Sequence, residues 1–448
     1  MPIKRFSALM AALLLSGCQT ATSFGNHAAA TLGLMDNVPK TYTASSVSEP
    51  SKAGVAVSDE PLAARQGAMA LAAGGSAVDA VATMYFTLSV TYPVAAGLGA
   101  GGICLVRDAG GQVREFDFLA RAPAGGGVNA VPGAVRGFAD MQTQYGRLPW
   151  QRVVGPGEAY AATGFPISQV LEQRLTAAAD LIAKDRILHA EFTEDDKILA
   201  AGENTRNLIL AQSLSAIRTG GADGFYKGAL AARIEEASRA MGGSVDQGEL
   251  AAQKTTVATP AMRGAIALPN AQTGAGIFAA ALMNGLRGNP AALTQATQAA
   301  LAQFGVSALP RDMGSTSFAA VDAYGQAASC AVTMNGPFGR SAGNTGVQLA
   351  SAPVGQSGLA SAFLAPLIVG DRDGSTAIVG AGGPNGAAAA VNAAMAVAGG
   401  RSLGRRGDLR SAGNAPFDTV NAATCDDTSC VALSDPDAHG LGVAADAY

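Results

Sequence analysis

Two runs around residue 320 set the pattern of the chain. Residues 315–322 and 327–334 mix small, apolar and hydroxyl side chains as short buried strands do. Between them lies Ala323-Tyr324-Gly325-Gln326, with a glycine available for a left-handed position. The pattern predicts a β-hairpin with its loop at 323–325. Ser315 then stands opposite Thr333 at the open end, with Asn335 just beyond. Upstream, 61–82 reads as helix, a Gly74-Gly75 break and a second helix, with Ser76 as cap and Asp79 in the first turn. Runs at 103–107, 113–118 and 376–379 read as strands. Residues 269–276 form a turn before a helix at 277–286. A glycine-rich turn at 380–386 precedes a helix at 387–398.

The hairpin suits a particular chemistry. A serine hydroxyl is a weak nucleophile without a base beside it. If the chain is cut before Ser315, the new α-amine is that base, since its reference pKa lies near roughly 8. Gly314 has no Cβ, which eases attack of the Ser315 hydroxyl on its carbonyl. Thr333 is placed to hold the Ser315 oxygen. The plain alternative is a hairpin with its hydroxyls on a solvated face. Exposed N–H groups at the glycine turn offer an oxyanion hole, against the alternative of a turn chosen only for shape.

Composition narrows the field. The 448 residues are 48% hydrophobic and 14% charged, with a net charge of −4. That is ample for one or two large cores, and no basic patch argues for nucleic acid. Residues 1–17 read as a secretory signal, with Lys4 and Arg5 before an apolar stretch at 8–15 too short to span a membrane. Leu15-Ser16-Gly17-Cys18 resembles a bacterial lipobox. It implies lipidation of Cys18, and Gln19 favours an outer-membrane, periplasm-facing anchor. The alternative is a plain signal with an incidental cysteine. Residues 18–52 read as a flexible tether. Cys104 and Cys330 lie in apolar runs and are expected as buried thiols. Cys425 and Cys430 lie in a loop where an exported protein permits a disulfide. No Cys/His spacing suggests a metal, and His27, His189 and His439 form no local Ser-His motif. Gly97 to Gly102 formally fits GxGxxG but precedes a strand, so it reads as a packing loop rather than a dinucleotide site.

The stretch from Gly314 to Gly339 resembles the nucleophile signature of the γ-glutamyltranspeptidase family: glycine, then threonine or serine, a hairpin, Thr-x-Asn and Phe-Gly. Resemblance continues from Ala53 onward. It implies a four-layer αββα sandwich of the N-terminal-nucleophile hydrolase type, in which 53–314 is the large-fragment region and 315–448 the small one. The resemblance implies that the fragments stay associated if the chain is cut between Gly314 and Ser315. It implies Ser315 as nucleophile, Thr333 as its orienting threonine, Asn335 as a substrate contact, Gly382 and Gly383 as oxyanion donors, and no cofactor. The substrate is a small amide or peptide.

Other positions depart from the family. Leu119 stands where the arginine that grips the glutamyl carboxylate belongs, with Arg121 two places on. Ala362 and Phe363 fall on a serine pair, with Ser361 adjacent, so Arg121 and Ser361 are the candidate substitutes for substrate binding, and Ser317 stands where histidine is common. A charged amino-acid head needs compensating charge in a buried site. Three readings follow. The first is a self-cleaving amidohydrolase or transpeptidase acting on γ-glutamyl or related amides. The second is an amidase for less polar acyl groups. The third is a catalytically silent envelope-binding lipoprotein.

Overall fold

The computed structural model describes residues 47–286, 289–306, 308–370, 374–405, 407–411 and 416–448. The signal at 1–17, the lipidation site Cys18 and the tether up to residue 46 lie outside the described residues. Among the described residues no helix is long and apolar enough to cross a membrane.

Two large antiparallel sheets carry the fold. In chain order their strands are β1 (Gly54–Ser58), β2 (Gly101–Arg107), β3 (Val113–Asp117), β4 (Thr256–Ala258), β5 (Ala261–Arg263), β6 (Ile266–Leu268), β7 (Ser315–Asp322), β8 (Ala327–Thr333), β9 (Ala365–Gly370), β10 (Gly374–Ala381), β11 (Thr419–Asp426), β12 (Cys430–Ser434) and β13 (Leu441–Ala444). The first sheet runs β13-β1-β7-β8-β2-β3-β4 and the second β12-β11-β10-β9-β6-β5. Their inner faces meet through small side chains. Val55, Val57, Ala319 and Ala331 of the first sheet pack on Ala377, Val379, Ala423 and Ala432 of the second. Helices α1 (Pro61–Ala72) and α2 (Ala77–Thr91) cover the outside of the first sheet. Helices α3 (Gly274–Leu286) and α4 (Pro384–Ala398) cover the second, burying Phe278, Leu282, Ala388 and Val391 against Leu367 and Ile378. The αββα sandwich expected from the family resemblance is therefore the fold.

Local readings survive in detail. The hairpin register pairs Ser315 with Thr333 and Ala319 with Ser329. Ser76 and Asp79 form a reciprocal capping box at α2. Asp79 is fully buried and also accepts hydrogen bonds from the N–H groups of Arg147 and Leu148, a structural duty. The 97–102 loop packs on backbone, Gly99 exchanging hydrogen bonds with Gln348 and Ala350.

Two expectations are corrected. Cys104 and Cys330 are not free thiols but a disulfide with a Cα–Cα distance of 4.2 Å. The register of β2 and β8 puts them directly opposite each other. Their separation of 226 residues left no local signal. Cys425 and Cys430 are also bonded, across the β11–β12 turn. The tether also ends earlier than residue 52. Val47 and Ser51 bridge to Leu433 and Cys430, because β12 is an edge strand with unpaired backbone groups. The Cys104–Cys330 bond closes a long loop, so replacing both residues by alanine should cost about 2–5 kcal/mol. Urea unfolding of the paired variant measures it, and an unchanged midpoint would show the link to be dispensable.

Candidate active site

The site forms where the open end of the β7–β8 hairpin meets the turn between β10 and α4. Gly314 adopts φ 62°, and a Cβ there would lie 2.1 Å from the Gly336 carbonyl oxygen, so glycine is required at this bend. Its N–H donates to Asp312 Oδ1 at 2.7 Å. Its carbonyl oxygen accepts from the Met334 N–H at 2.7 Å, and the Thr333 hydroxyl lies 3.3 Å from it. The peptide joining Gly314 to Ser315 thus has its carbonyl held by the Met334 N–H, with the single Thr333 hydroxyl proton shared between it and the Met313 carbonyl oxygen at 3.4 Å.

Ser315 is buried, and its Oγ accepts from the Gly382 N–H at 3.1 Å. Gly382 is held by its own geometry: φ is 91°, and a Cβ would fall 1.8 Å from the Phe417 carbonyl oxygen. Gly383 follows at the start of α4 and rests against the Asp418 carboxylate. Of the two glycines expected to face the nucleophile, Gly382 makes the contact. Asp418 accepts from the Asn385 N–H at 2.9 Å and so caps α4 from the neighbouring loop. The segment before Ser315 lies alongside. Leu309, Arg311 and Met313 line a cleft of about 480 Å³ with Gly382, Asn385 and Asp418. A larger cleft of about 710 Å³ sits around Tyr324 and the Cys425–Cys430 disulfide, at the far end of the hairpin, and holds none of these residues.

Burial pushes the Asp418 carboxyl up to about 6 from 3.8, against the opposing hydrogen bonds from Asn385 and Gly386. The folded chain therefore keeps this proton to higher pH than the unfolded chain does. The resulting stabilisation is complete below about pH 4 and is lost as pH rises through 6. Asp418→Asn should remove that dependence, so its melting temperature should gain on the wild type between pH 4 and 6.5. Parallel profiles would rule the assignment out.

The other expected site residues fall as follows. Thr333 was expected to hold the Ser315 oxygen; its hydroxyl lies instead on the Gly314 carbonyl and accepts from the Asn335 N–H at 2.9 Å. Asn335 is buried with φ 54°, and its Nδ2 donates to the Ser351 carbonyl. Its Oδ1 is buried with no hydrogen-bond partner among the described residues. Arg121 is exposed and donates to Thr256 on the edge strand β4. Ser361 donates to Gly358 within its own turn. Leu119 packs on the inter-sheet core, and Phe363 is buried edge-on against Phe278.

Two buried groups carry no motif. Asp59, at the end of β1, accepts from Thr316 Oγ1 at 2.7 Å, Ser317 N–H at 3.0 Å, Thr419 Oγ1 at 2.9 Å and Asn421 Nδ2 at 2.7 Å. It ties the nucleophile strand to the second sheet. Ser317, where the family commonly has histidine, joins the same network through Asn421. Arg174 is 1% exposed and donates to the Ser315 carbonyl oxygen at 3.0 Å. Its one sequence signal is its place in the buried stripe Val170, Leu171, Arg174 and Leu175 of the helix Gln169–Ala177.

Known proteins resemble this chain in sequence and fold. The family model described as Gamma-glutamyltranspeptidase matches residues 63–266. The chain is 31% identical over 231 residues to a glutathione hydrolase proenzyme of Escherichia coli, covering 47% of this chain and 40% of that protein. It is 29% identical over 267 residues to an acylase ACY 1 proenzyme of a Pseudomonas species, covering 52% of this chain and 48% of that one. The chain spans less than half the length of these curated relatives. Among solved structures, the γ-glutamyltranspeptidase of Helicobacter pylori aligns at 26% identity with a TM-score of 0.53, over 58% of this chain and 85% of that one. A cephalosporin acylase from Bacillus halodurans shares the fold at 18% identity, with a TM-score of 0.69 over 92% and 99% of the two chains. With the hairpin, the glycine turn and the two-sheet sandwich in place, the chain resembles a divergent γ-glutamyltranspeptidase, with the family match running over residues 63–266.

Proposed function

We propose that the chain cuts itself before Ser315 and then acts as an amidohydrolase or acyltransferase through an acyl-Ser315 ester. The observation that carries this reading is the held peptide between Gly314 and Ser315. Its carbonyl faces Met334 N–H and Thr333, while the attacking hydroxyl rests on Gly382 N–H. In the cutting step Ser315 Oγ adds to the Gly314 carbonyl carbon, and the C–N bond breaks as the nitrogen takes up a proton. Water then hydrolyses the resulting ester, leaving a free α-amine on Ser315 and a carboxylate on Gly314. In turnover that amine takes the Ser315 hydroxyl proton as Oγ attacks a substrate amide. The leaving amine takes the proton, and water or a second amine resolves the acyl ester.

The substrate class is γ-glutamyl or related amides. One set of contacts favours a second reading, an amidase for less polar acyl groups. Leu119 and Phe363 are packed into apolar cores, and Arg121 is spent on Thr256. The acylase names among the relatives fit it as well. Two disulfides among the described residues support an exported, oxidising location, to which a lipid anchor at Cys18 would add a membrane tether.

The test is the intact mass and N-terminal sequence of the purified protein. Cys104 and Cys330 lie on opposite sides of the cut, so the fragments stay covalently joined until reduced. The expected result is one species before reduction and two after it, the smaller beginning at Ser315. A single chain after reduction, stable over days, would leave the silent binding lipoprotein as the better reading.

A further inference from the structure

Arg174 sits where an uncompensated charge is expensive, yet no motif asked for it. Its guanidinium is stacked between two aromatic rings, 5.1 Å from the centre of Tyr92 and 5.0 Å from that of Phe417. One nitrogen, Nη2, reaches both the Ser315 carbonyl oxygen at 3.0 Å and the Phe417 carbonyl oxygen at 3.4 Å. The second contact matters because Gly382 packs directly on that Phe417 carbonyl. A single side chain therefore touches the nucleophile residue and the backing of the glycine that faces it. Both carbonyls lie downstream of the cut, so both contacts persist after it.

We propose that Arg174 is the positioning residue of the nucleophile: it fixes Ser315 through its carbonyl, backs Gly382 through Phe417, and, once the chain is cut, keeps the Ser315 α-amine in its neutral, proton-accepting form. This rests on the reading of Ser315 as an N-terminal nucleophile. The electrostatic part follows from covalent geometry. The new amine forms on the residue whose carbonyl the guanidinium holds, within roughly 3.5 Å of that oxygen. Arg174 Nη2 is 3.0 Å from that oxygen, so the amine lies within roughly 6.5 Å of the guanidinium, a range at which a cation disfavours a second positive charge. The amine then releases its proton at a lower pH than an ordinary chain terminus and serves as base near neutrality.

The surroundings decide how much of that charge is felt. Burial opposes the charge on Arg174, but the carboxylates of Asp312, Asp59 and Asp418 around it favour the protonated guanidinium. Asp312 is the nearest anion, with Oδ2 3.7 Å from Arg174 Nε. That distance is beyond a hydrogen bond, and Arg174 Nε and Nη1 and Asp312 Oδ2 have no hydrogen-bond partner among the described residues. Asp59 spends its oxygens on Thr316, Ser317, Thr419 and Asn421. Asp418 spends one on the start of α4. Tyr92 is buried, which raises its pKa and keeps it neutral. Asp312 forms an ion pair with Arg174 at 3.7 Å, and the carboxylates together reduce the charge that reaches the amine.

The test uses the full chain as wild type, Arg174→Gln and Arg174→Lys. The fraction cut is read by mass after reduction. The Ser315 amine of the cut protein is titrated by NMR with isotope-labelled serine. The wild-type amine should titrate below the ordinary value of roughly 8. Arg174→Gln should cut more than tenfold more slowly, and its amine should titrate about one pH unit higher. Arg174→Lys keeps the charge but loses the planar fork. It should cut slowly while its amine titrates within a few tenths of a unit of wild type. A purely structural role would lower melting temperature without moving the amine titration, and that result overturns the proposal. So does wild-type cutting in Arg174→Lys, which reads the positioning claim even if Arg174→Gln fails to fold. A wild type that is never cut at Ser315 refutes the nucleophile reading itself, whereas a cut wild type with unshifted variants refutes only the role of Arg174.

Discussion

Ser315→Ala should remain one chain after reduction and show no amide turnover above background. In the proposed scheme the hydroxyl has two successive duties, attack on the Gly314 carbonyl and attack on substrate, and alanine ends both. The loss in kcat expected for removing a nucleophile is on the order of 10⁶. The variant should still fold. Ser315 is buried with its Oγ on one hydrogen bond, from Gly382 N–H. Removing that oxygen leaves one unpaired N–H, at about 1–3 kcal/mol. The pairing of Ser315 with Thr333 is made by backbone and survives. Circular dichroism separates an inactive fold from an unfolded chain. Division at the same peptide in a folded Ser315→Ala would show that another group does the cutting, and the acyl-Ser315 scheme would go with it.

Gly382→Ala carries the second largest expected effect, through geometry rather than chemistry. The N–H that faces Ser315 is retained, but the added Cβ has no room. It would lie 1.8 Å from the Phe417 carbonyl oxygen, in a backbone conformation of φ 91° that side chains rarely adopt. The turn must move, and the N–H moves with it. Loss of one oxyanion donor costs about 10²–10³ in kcat, or roughly 2.7–4 kcal/mol of transition-state stabilisation. Backbone strain adds about 1–3 kcal/mol to the folding side. Kinetics on any amide that the wild type turns over, paired with a thermal melt, keep the two effects apart. Gly404→Ala is the control, since a Cβ there meets nothing within 4 Å. If kcat of Gly382→Ala stays within twofold of wild type, Gly382 is not the donor that matters, and Gly383 becomes the candidate.

Much of the site was legible because its signals are short. A three-residue loop sets the register of its hairpin, and that register alone brings Ser315 opposite Thr333. Ser76 and Asp79 announce a helix start within four residues. The glycine turn before α4 was visible as a strand ending in glycines ahead of an alanine-rich run. The departures at Leu119, Ala362 and Phe363 were likewise read from position. In the structure Leu119, Ala362 and Phe363 pack into apolar cores. The assignment of Gly382 rather than Gly383 was not legible, since adjacent N–H groups differ only in direction.

By itself, then, the order of residues singled out, through the family resemblance, Ser315 and the departures at Leu119, Ala362 and Phe363, and it determined the elements and the hairpin register. Periodicity and turn chemistry act over a few residues, and these features need no more. Tertiary structure alone decided the rest. It set Cys104 against Cys330 across neighbouring strands, put the Thr333 hydroxyl on the Gly314 carbonyl, gathered strands from both sheets around Asp59 and brought Arg174 to the carbonyl of Ser315. Each of these contacts joins groups from separate strands, turns or helices. Each exists only once strand order and packing have chosen which distant side chains become neighbours.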